Sequence, residues 1–352
     1  MLLRFSITSL LMGIIRRLRV LLASRKLFRN WFSAGIRYYL VKGGFLRVDS
    51  IEVVCGDGSR GLIPVRAYGV LVNDYYNGYI TNYDCKEGIA TYMNKAHVPI
   101  DEIRESNGFV KLAVENGWAY DLTNKYWTKN NVRFRHMRWS ILEAFDFGSF
   151  EGIDVGNRVV INAGAFVGDS AIYFALKGAK SIIAIEPLPA NYEELLDNVN
   201  LNGMRNKINV INAALSSKHG AVKVPRNIPV SIRGSSIDMY KKHGIGKLID
   251  IKSITLSDLI NEYAIDGNDA MLKMDCEGCE FDVILNDYEH VKLFKEVVFE
   301  YHAYAVHRPI AELINTMSND FNCQIINEDF FRKFFSDYSR DQLGLIRCVK
   351  RS

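Results

Sequence analysis

Proline is scarce in this sequence, and nothing in it would serve as a spacer. Seven prolines are spread over 352 residues, with no proline-rich linker, low-complexity tract or internal repeat. That excludes fibrous and solenoid architectures. Long apolar runs are missing too. Near the N-terminus the longest run without a charge is residues 5–15, between Arg4 and Arg16. A bilayer-spanning helix needs ~20 apolar residues. Arg16, Arg17 and Arg19 follow the run and no small-residue cleavage site is evident, so it does not read as a secretory signal. Cysteines are few, at 55, 85, 276, 279, 323 and 348, and their scatter does not suggest a disulfide framework. Only Cys276 and Cys279 form a C-x-x-C. Without a second C-x-x-C or an H-x(3–5)-H, no zinc site is expected, and the metal expectation is none. Acidic residues are absent from residues 1–42, which hold nine Lys/Arg. The other 310 residues carry 35 basic and 40 acidic side chains, so the body is mildly acidic and shows no nucleic-acid footprint.

What is present describes a globular chain. Hydrophobic residues make up 48% and charged residues 24%, enough for one large domain or two ordinary ones. Three segments are expected: a basic helical segment at 1–42, a β-rich region at 43–140 and an α/β domain at 141–352. On a helical wheel Leu3, Ile7, Leu10, Leu11, Ile14, Leu18, Leu21 and Leu22 share one face, opposite Arg16 and Arg19. Such a helix either packs on the body or a second subunit, or lies on an anionic membrane surface through residues 2–29. The expected location is cytoplasmic, with or without that membrane contact. The sequence leaves the oligomeric state open.

Residues 44–135 read as strands and turns, such as Phe45–Cys55 and Leu62–Val72 around the turn Gly56-Asp57-Gly58. The aromatics between Tyr75 and Trp139 read either as core and half-buried strand positions, the commoner role of such residues, or as the lining of a substrate groove. Beyond residue 150 strands and helices alternate. Strands are expected at Val159–Asn162, Ser181–Ile185, Ile208–Asn212, Met271–Met274, Glu296–Glu300, Cys323–Asn327 and Leu345–Val349, with an extra pair at Ala221–Val224 and Leu248–Thr255. Helices are expected at Ser170–Lys177, Asn191–Leu201 and Ser257–Tyr263, and one starts near Pro309. This alternation predicts a mostly parallel sheet with helices on both faces. Ligands of such sheets bind beyond the carboxyl ends of the strands.

The polar residues gather at those ends. Val159-Val160-Ile161-Asn162-Ala163-Gly164-Ala165-Phe166-Val167-Gly168 is a buried strand, a glycine turn and a helix start. Gly164 lets the chain turn sharply, and Gly168 lets a helix begin close by. Ala163 and Phe166 break any G-x-G-x-x-G dinucleotide fingerprint. The next strand ends in Glu186-Pro187, where a carboxylate can accept both hydroxyls of a ribose. The third ends in Asn212-Ala213, and the fourth in Lys273-Met274-Asp275-Cys276-Glu277-Gly278-Cys279-Glu280. Four strands agreeing in this way outweigh any one motif.

From about Phe145 to Val349 the sequence resembles the FkbM family of class I S-adenosylmethionine-dependent methyltransferases. The matching elements are the 162–168 loop, Glu186–Asn191, Asn198–Asn202, Gly234-Ser235-Ser236, Lys273–Glu280 and Glu300-Tyr301-His302. The resemblance implies a Rossmann-like seven-stranded sheet whose last strand is antiparallel. It also implies S-adenosylmethionine as cofactor. Asn162, Ala163, Gly164, Ala165, Phe166 and Gly168 would hold its methionine part, Glu186 with Pro187 its ribose, and Asn212 and Ala213 its adenine. Asp275 would stand at the methyl-transfer site, near the cofactor's amino group or the acceptor, and so counts among the cofactor-binding residues too. Asp275, His302 and Glu300 are the catalytic candidates, with Asp275 or His302 as base. The acceptor expected is a hydroxyl of a sugar, glycan or other small natural product. The family usually carries an acidic residue where this chain has Asn162, which accepts a hydrogen bond but supplies no charge. Two rival readings are a cofactor-binding, catalytically silent protein and a nicotinamide-dependent oxidoreductase. The missing third glycine speaks against the second.

Overall fold

The computed structural model describes residues 7–106, 108–226 and 247–351, with side chains from residue 13 onward. The Gly234-Ser235-Ser236 element lies outside the described residues. The chain divides into two compact units, Met1–Trp139 and Ser140–Ser352.

The first unit opens with two helices, α1 (Ile7–Ala23) and α2 (Trp31–Lys42). They pack closely because residue 35 is glycine: a Cβ there would stand 2.0 Å from Leu21 Cδ1. Strands β1 (Ser50–Val54) and β2 (Arg60–Pro64) form a hairpin. The strand expected over Leu62–Val72 stops at Pro64. Beyond it Val65–Tyr76 is a helix, α3, burying Ala67, Tyr68, Leu71 and Val72. That helical spacing is the pattern the alternating reading missed. Two further three-stranded antiparallel sheets follow, Ile80–Asp84 with Ile89–Tyr92 and His97–Pro99, then Ala119–Asp121 with Tyr126–Lys129 and Val132–Phe134. The aromatics are mostly core: Tyr92, Trp118, Trp127 and Phe134 are fully buried. A buried carboxylate, Glu102, ties the last sheet to its neighbours. It accepts from Trp127 Nε1 at 2.7 Å and the Met137 amide at 3.0 Å, and pairs with His136 Nδ1 at 2.8 Å.

The second unit is the predicted α/β sheet. Its strands are β3 (Val159–Ala163), β4 (Ser181–Ile185), β5 (Ile208–Ile211), β6 (Ala270–Met274), β7 (Glu296–His302), β8 (Phe321–Ile326) and β9 (Leu343–Lys350). Their order is β5-β4-β3-β6-β7-β9-β8. All run parallel except the last in sequence, β9, which pairs antiparallel with both β7 and β8. This is the seven-stranded sheet with an antiparallel last strand that the resemblance implies. Its central strands are almost wholly buried, as near-continuous apolar runs require. A small side sheet joins Ala214–Leu215, Gly220–Pro225 and Leu248–Ile254.

Helices α4 (Asp169–Leu176), α5 (Pro189–Leu201), α6 (Leu256–Glu262) and α7 (Cys279–Asn286) follow β3, β4, the side sheet and β6. Thr255 and Asp258 form a reciprocal capping box that starts α6. The sheet is tied at two places the sequence did not disclose. Glu296, buried at the start of β7, takes Arg158 at 2.5 Å and Arg347 at 2.6 Å. Cys323 and Cys348, directly opposite each other on β8 and β9, form a disulfide. Cys55 pairs with Cys85 and Cys276 with Cys279 as well, so all six cysteines are bonded. The expectation against disulfides fails: Cys323–Cys348 depends on strand register and Cys55–Cys85 on a contact 30 residues apart, neither of which linear spacing reveals, while the C-x-x-C closes on itself.

Candidate functional site

Where β3 meets β6, one residue dictates the geometry. Gly164 has φ +74°, and a Cβ there would stand 1.7 Å from the carbonyl oxygen of Asp275. The turn therefore brings two strand ends together; what a side chain would strike is protein backbone. The Asp275 amide donates to Ala163 O at 3.0 Å, and the amides of Gly164 and Ala165 both donate to Ile185 O at 3.0 Å. The loop continues through Phe166 at φ +46° to Gly168 at φ +91°, which begins α4. A left-handed phenylalanine is uncommon, and such conformations cluster at functional sites. Here its amide, turned back, donates to Glu186 Oε2 at 3.0 Å.

Glu186 is buried at the end of β4. Its other oxygen accepts from the Leu188 amide at 2.9 Å and Asn191 Nδ2 at 3.3 Å. Burial raises its pKa to about 7, although these bonds pull it down. Asn212 donates to the carbonyls of Glu186 and Pro187 at 2.8 and 3.2 Å. It thus braces the strand end carrying the carboxylate. Ala163, Ala165 and Ala213 are buried and could present only backbone to a ligand, while Gly164, Phe166, Pro187 and Asn212 are half-exposed. Asn162 is fully buried. Its Nδ2 donates to Ser170 Oγ at 2.9 Å, and its Oδ1 has no partner. Asp169 Oδ1 likewise lacks one, and burial lifts that carboxyl to about 6 despite the nearby Lys273.

In the sequence Lys273 has no role beyond opening the Lys273–Glu280 element. It pairs in register with Asn162, so the polar residues of the two central strands lie side by side. Its buried ammonium sits 3.2 Å from Asp275 Oδ2 and 3.5 Å from Gly164 O.

The second half of the site surrounds His302 at the end of β7. Glu280, fully buried in the first turn of α7, takes His302 Nδ1 at 2.5 Å and the Gly278 amide at 2.7 Å. His302 Nε2 then faces Glu300 at 3.4 Å and both Asp275 and Glu277 at 3.8 Å. Burial disfavours the imidazolium, but the carboxylates of Glu277 and Glu280 outweigh it and hold the ring well above its ordinary pKa. Burial pushes Glu277 up to about 7 and raises Glu300. The three catalytic candidates thus come together, and Glu277, Glu280 and Lys273 join them. Glu280 and His302 are 22 residues apart, which is why the pair was invisible in sequence. Asp275, Glu300 and His302 bring ligand-type atoms within 4.8 Å of one another. Cys276, Cys279 and Glu280 do so too, but those sulfurs are bonded to each other and offer no thiolate.

Comparison with known proteins gives a consistent picture. Residues 162–323 match the family model described as "Methyltransferase FkbM domain". The "Methyltransferase sdnD" of Sordaria araneosa is 29% identical over 172 residues, covering 41% of this chain. The chain spans 66% of that curated relative's length, just under two thirds. Among solved structures, the O-methyltransferase from Bacillus cereus in complex with SAH has a TM-score of 0.32 and 8% identity, over 55% of this chain and 74% of that one. The fibrillarin/Nop5p complex gives 0.32 and 17%, over 60% and 80%.

Proposed function

We propose, from a chain whose residues 162–323 carry a methyltransferase FkbM domain, that the protein binds S-adenosylmethionine and moves its methyl group to a hydroxyl of a small molecule or glycan. The observation that carries this reading is the pair of features around the 164–168 loop. At the end of β4 stands Glu186, a buried carboxylate suited to a ribose diol. Behind the loop, Asn162 Oδ1 and Asp169 Oδ1 are buried acceptors without donors, and the cofactor's ammonium is a donor of the required kind. The residues present therefore fit the group. No triple-glycine fingerprint exists for a dinucleotide.

When bound, the cofactor supplies an already activated methyl on sulfonium. The protein's part is alignment, exclusion of water and removal of one proton. In this reading His302, whose pKa the surrounding carboxylates raise, serves as a positive centre rather than as the base. The proton acceptor in this reading is Asp275, a half-exposed carboxylate on the loop beside Gly164, positioned by Lys273. Glu280 fixes the His302 ring through Nδ1.

Calorimetry with S-adenosylmethionine, its demethylated product and NAD tests the binding half. Micromolar affinity for the first two and none for the third is expected. Tight binding of NAD alone would overturn the reading. Transfer of labelled methyl to a panel of sugar and phenolic acceptors tests the second half. Binding without transfer to any acceptor would favour the silent-protein reading that Asn162, lacking an acid's charge, keeps open.

A further inference from the structure

The hairpin of α1 and α2 presents an apolar plane that no part of the described molecule covers. Ile14, Leu18 and Leu22 on α1 recur every fourth residue, as do Phe32, Ile36 and Leu40 on α2, and all six are 41–57% exposed. The two stripes face the same way. Tyr39 Oη reaches the Arg17 carbonyl, and Leu21 lies against Gly35, so the helices run antiparallel. On each helix the stripe lies roughly a quarter turn further round, in the sense of the right-handed winding, from the residues facing the partner helix. Because the helices run in opposite directions, a quarter turn in that sense points both stripes to one side. On the same wheels Arg19 and Arg37 point away from the partner helix, along the margins of the plane.

Charge selects the occupant. Residues 1–42 hold nine Lys/Arg and no Asp/Glu, and the eight of them at 16–42 are all exposed. A second copy seated on this face would bring two such sets of like charge together, whereas an anionic lipid surface complements them. Among the described residues no helix is long and apolar enough to cross a membrane. We infer that this hairpin is a peripheral anchor that lies on an anionic phospholipid surface, its six apolar side chains entering the headgroup boundary and its basic residues meeting lipid phosphates.

The experiment is flotation of the full-length protein with phosphatidylcholine vesicles, with and without phosphatidylglycerol, at low and high salt. Binding is expected only with the anionic lipid, and it weakens as salt rises. The double variant Arg19→Glu/Arg37→Glu should lower the partition coefficient by about fivefold or more per residue changed. Leu18→Ser/Ile36→Ser should lower it by about tenfold or more. Both pairs are exposed, and an unchanged melting temperature shows that they leave the fold intact. Absence of flotation at low salt would overturn the inference, as would binding by both variants as strong as that of the unaltered protein. Sedimentation showing a dimer of the lipid-free protein that Leu18→Ser/Ile36→Ser dissolves would also overturn it, by assigning the face to a second copy.

Discussion

At the scale of single residues, Asp275 and Glu186 carry the sharpest consequences. Asp275→Asn keeps the shape of the β6 end but removes the carboxylate that faces Lys273 and the acceptor side. Methyl transfer should fall by about 10²–10⁴-fold, the usual worth of a positioned base. Cofactor affinity measured by calorimetry should change far less, and unchanged turnover would remove Asp275 from the chemistry. Glu186 predicts a pH dependence of binding. Its carboxyl titrates at about 7 in the folded protein because it is buried, and ribose hydroxyls bond best to its ionised form. Affinity for the cofactor should therefore rise with pH up to about 7, by as much as tenfold per unit, and level off above. Calorimetry at a series of pH values checks this, and Glu186→Gln should flatten the profile. The placement of both residues was legible beforehand, since each follows a largely apolar strand with a sudden carboxylate. Lys273 was not legible, because its neighbours Met271, Leu272 and Met274 give the run a core signature. Only the register opposite Asn162 shows that a buried ammonium serves the loop.

Among the elements, the parallel strands and their helices were readable because burial on both faces leaves uninterrupted apolar runs. The first unit was less so. Strand and helix patterns blur over short segments, and the run across Pro64 changes from one to the other within a single apolar stretch. Links between elements were out of reach altogether. Glu280 reaches His302 from the helix after β6, and Glu296 gathers Arg158 and Arg347 from segments 138 and 51 residues away. This last cluster lies at the ends of the strands opposite the site, so its role is to hold the sheet. Glu296→Ala leaves two guanidinium groups against each other with their shared carboxylate gone. A loss of about 3–5 kcal/mol is expected, read as a lower midpoint in denaturant. Cofactor affinity of the folded fraction should be unaltered.

For the molecule as a whole, every residue assigned to the cofactor or to catalysis lies in the second compact unit. A fragment comprising residues 140–352 should bind S-adenosylmethionine within a few fold of the full chain, and calorimetry on the two proteins compares them directly. A fragment that folds, by its circular dichroism, yet does not bind would show that the first unit completes the site. The charge imbalance points the other way along the chain, toward the helical hairpin as the part that meets a surface. The sulfurs of Cys276 and Cys279 close a ring of four residues that joins the loop carrying Asp275 and Glu277 to the first turn of α7, which carries Glu280. A thiol added to keep the protein reduced is then a reagent acting on its own catalytic loop. Initial rates measured with and without dithiothreitol on one preparation should differ, and a preparation stored in reductant is chemically a different protein from one stored in air.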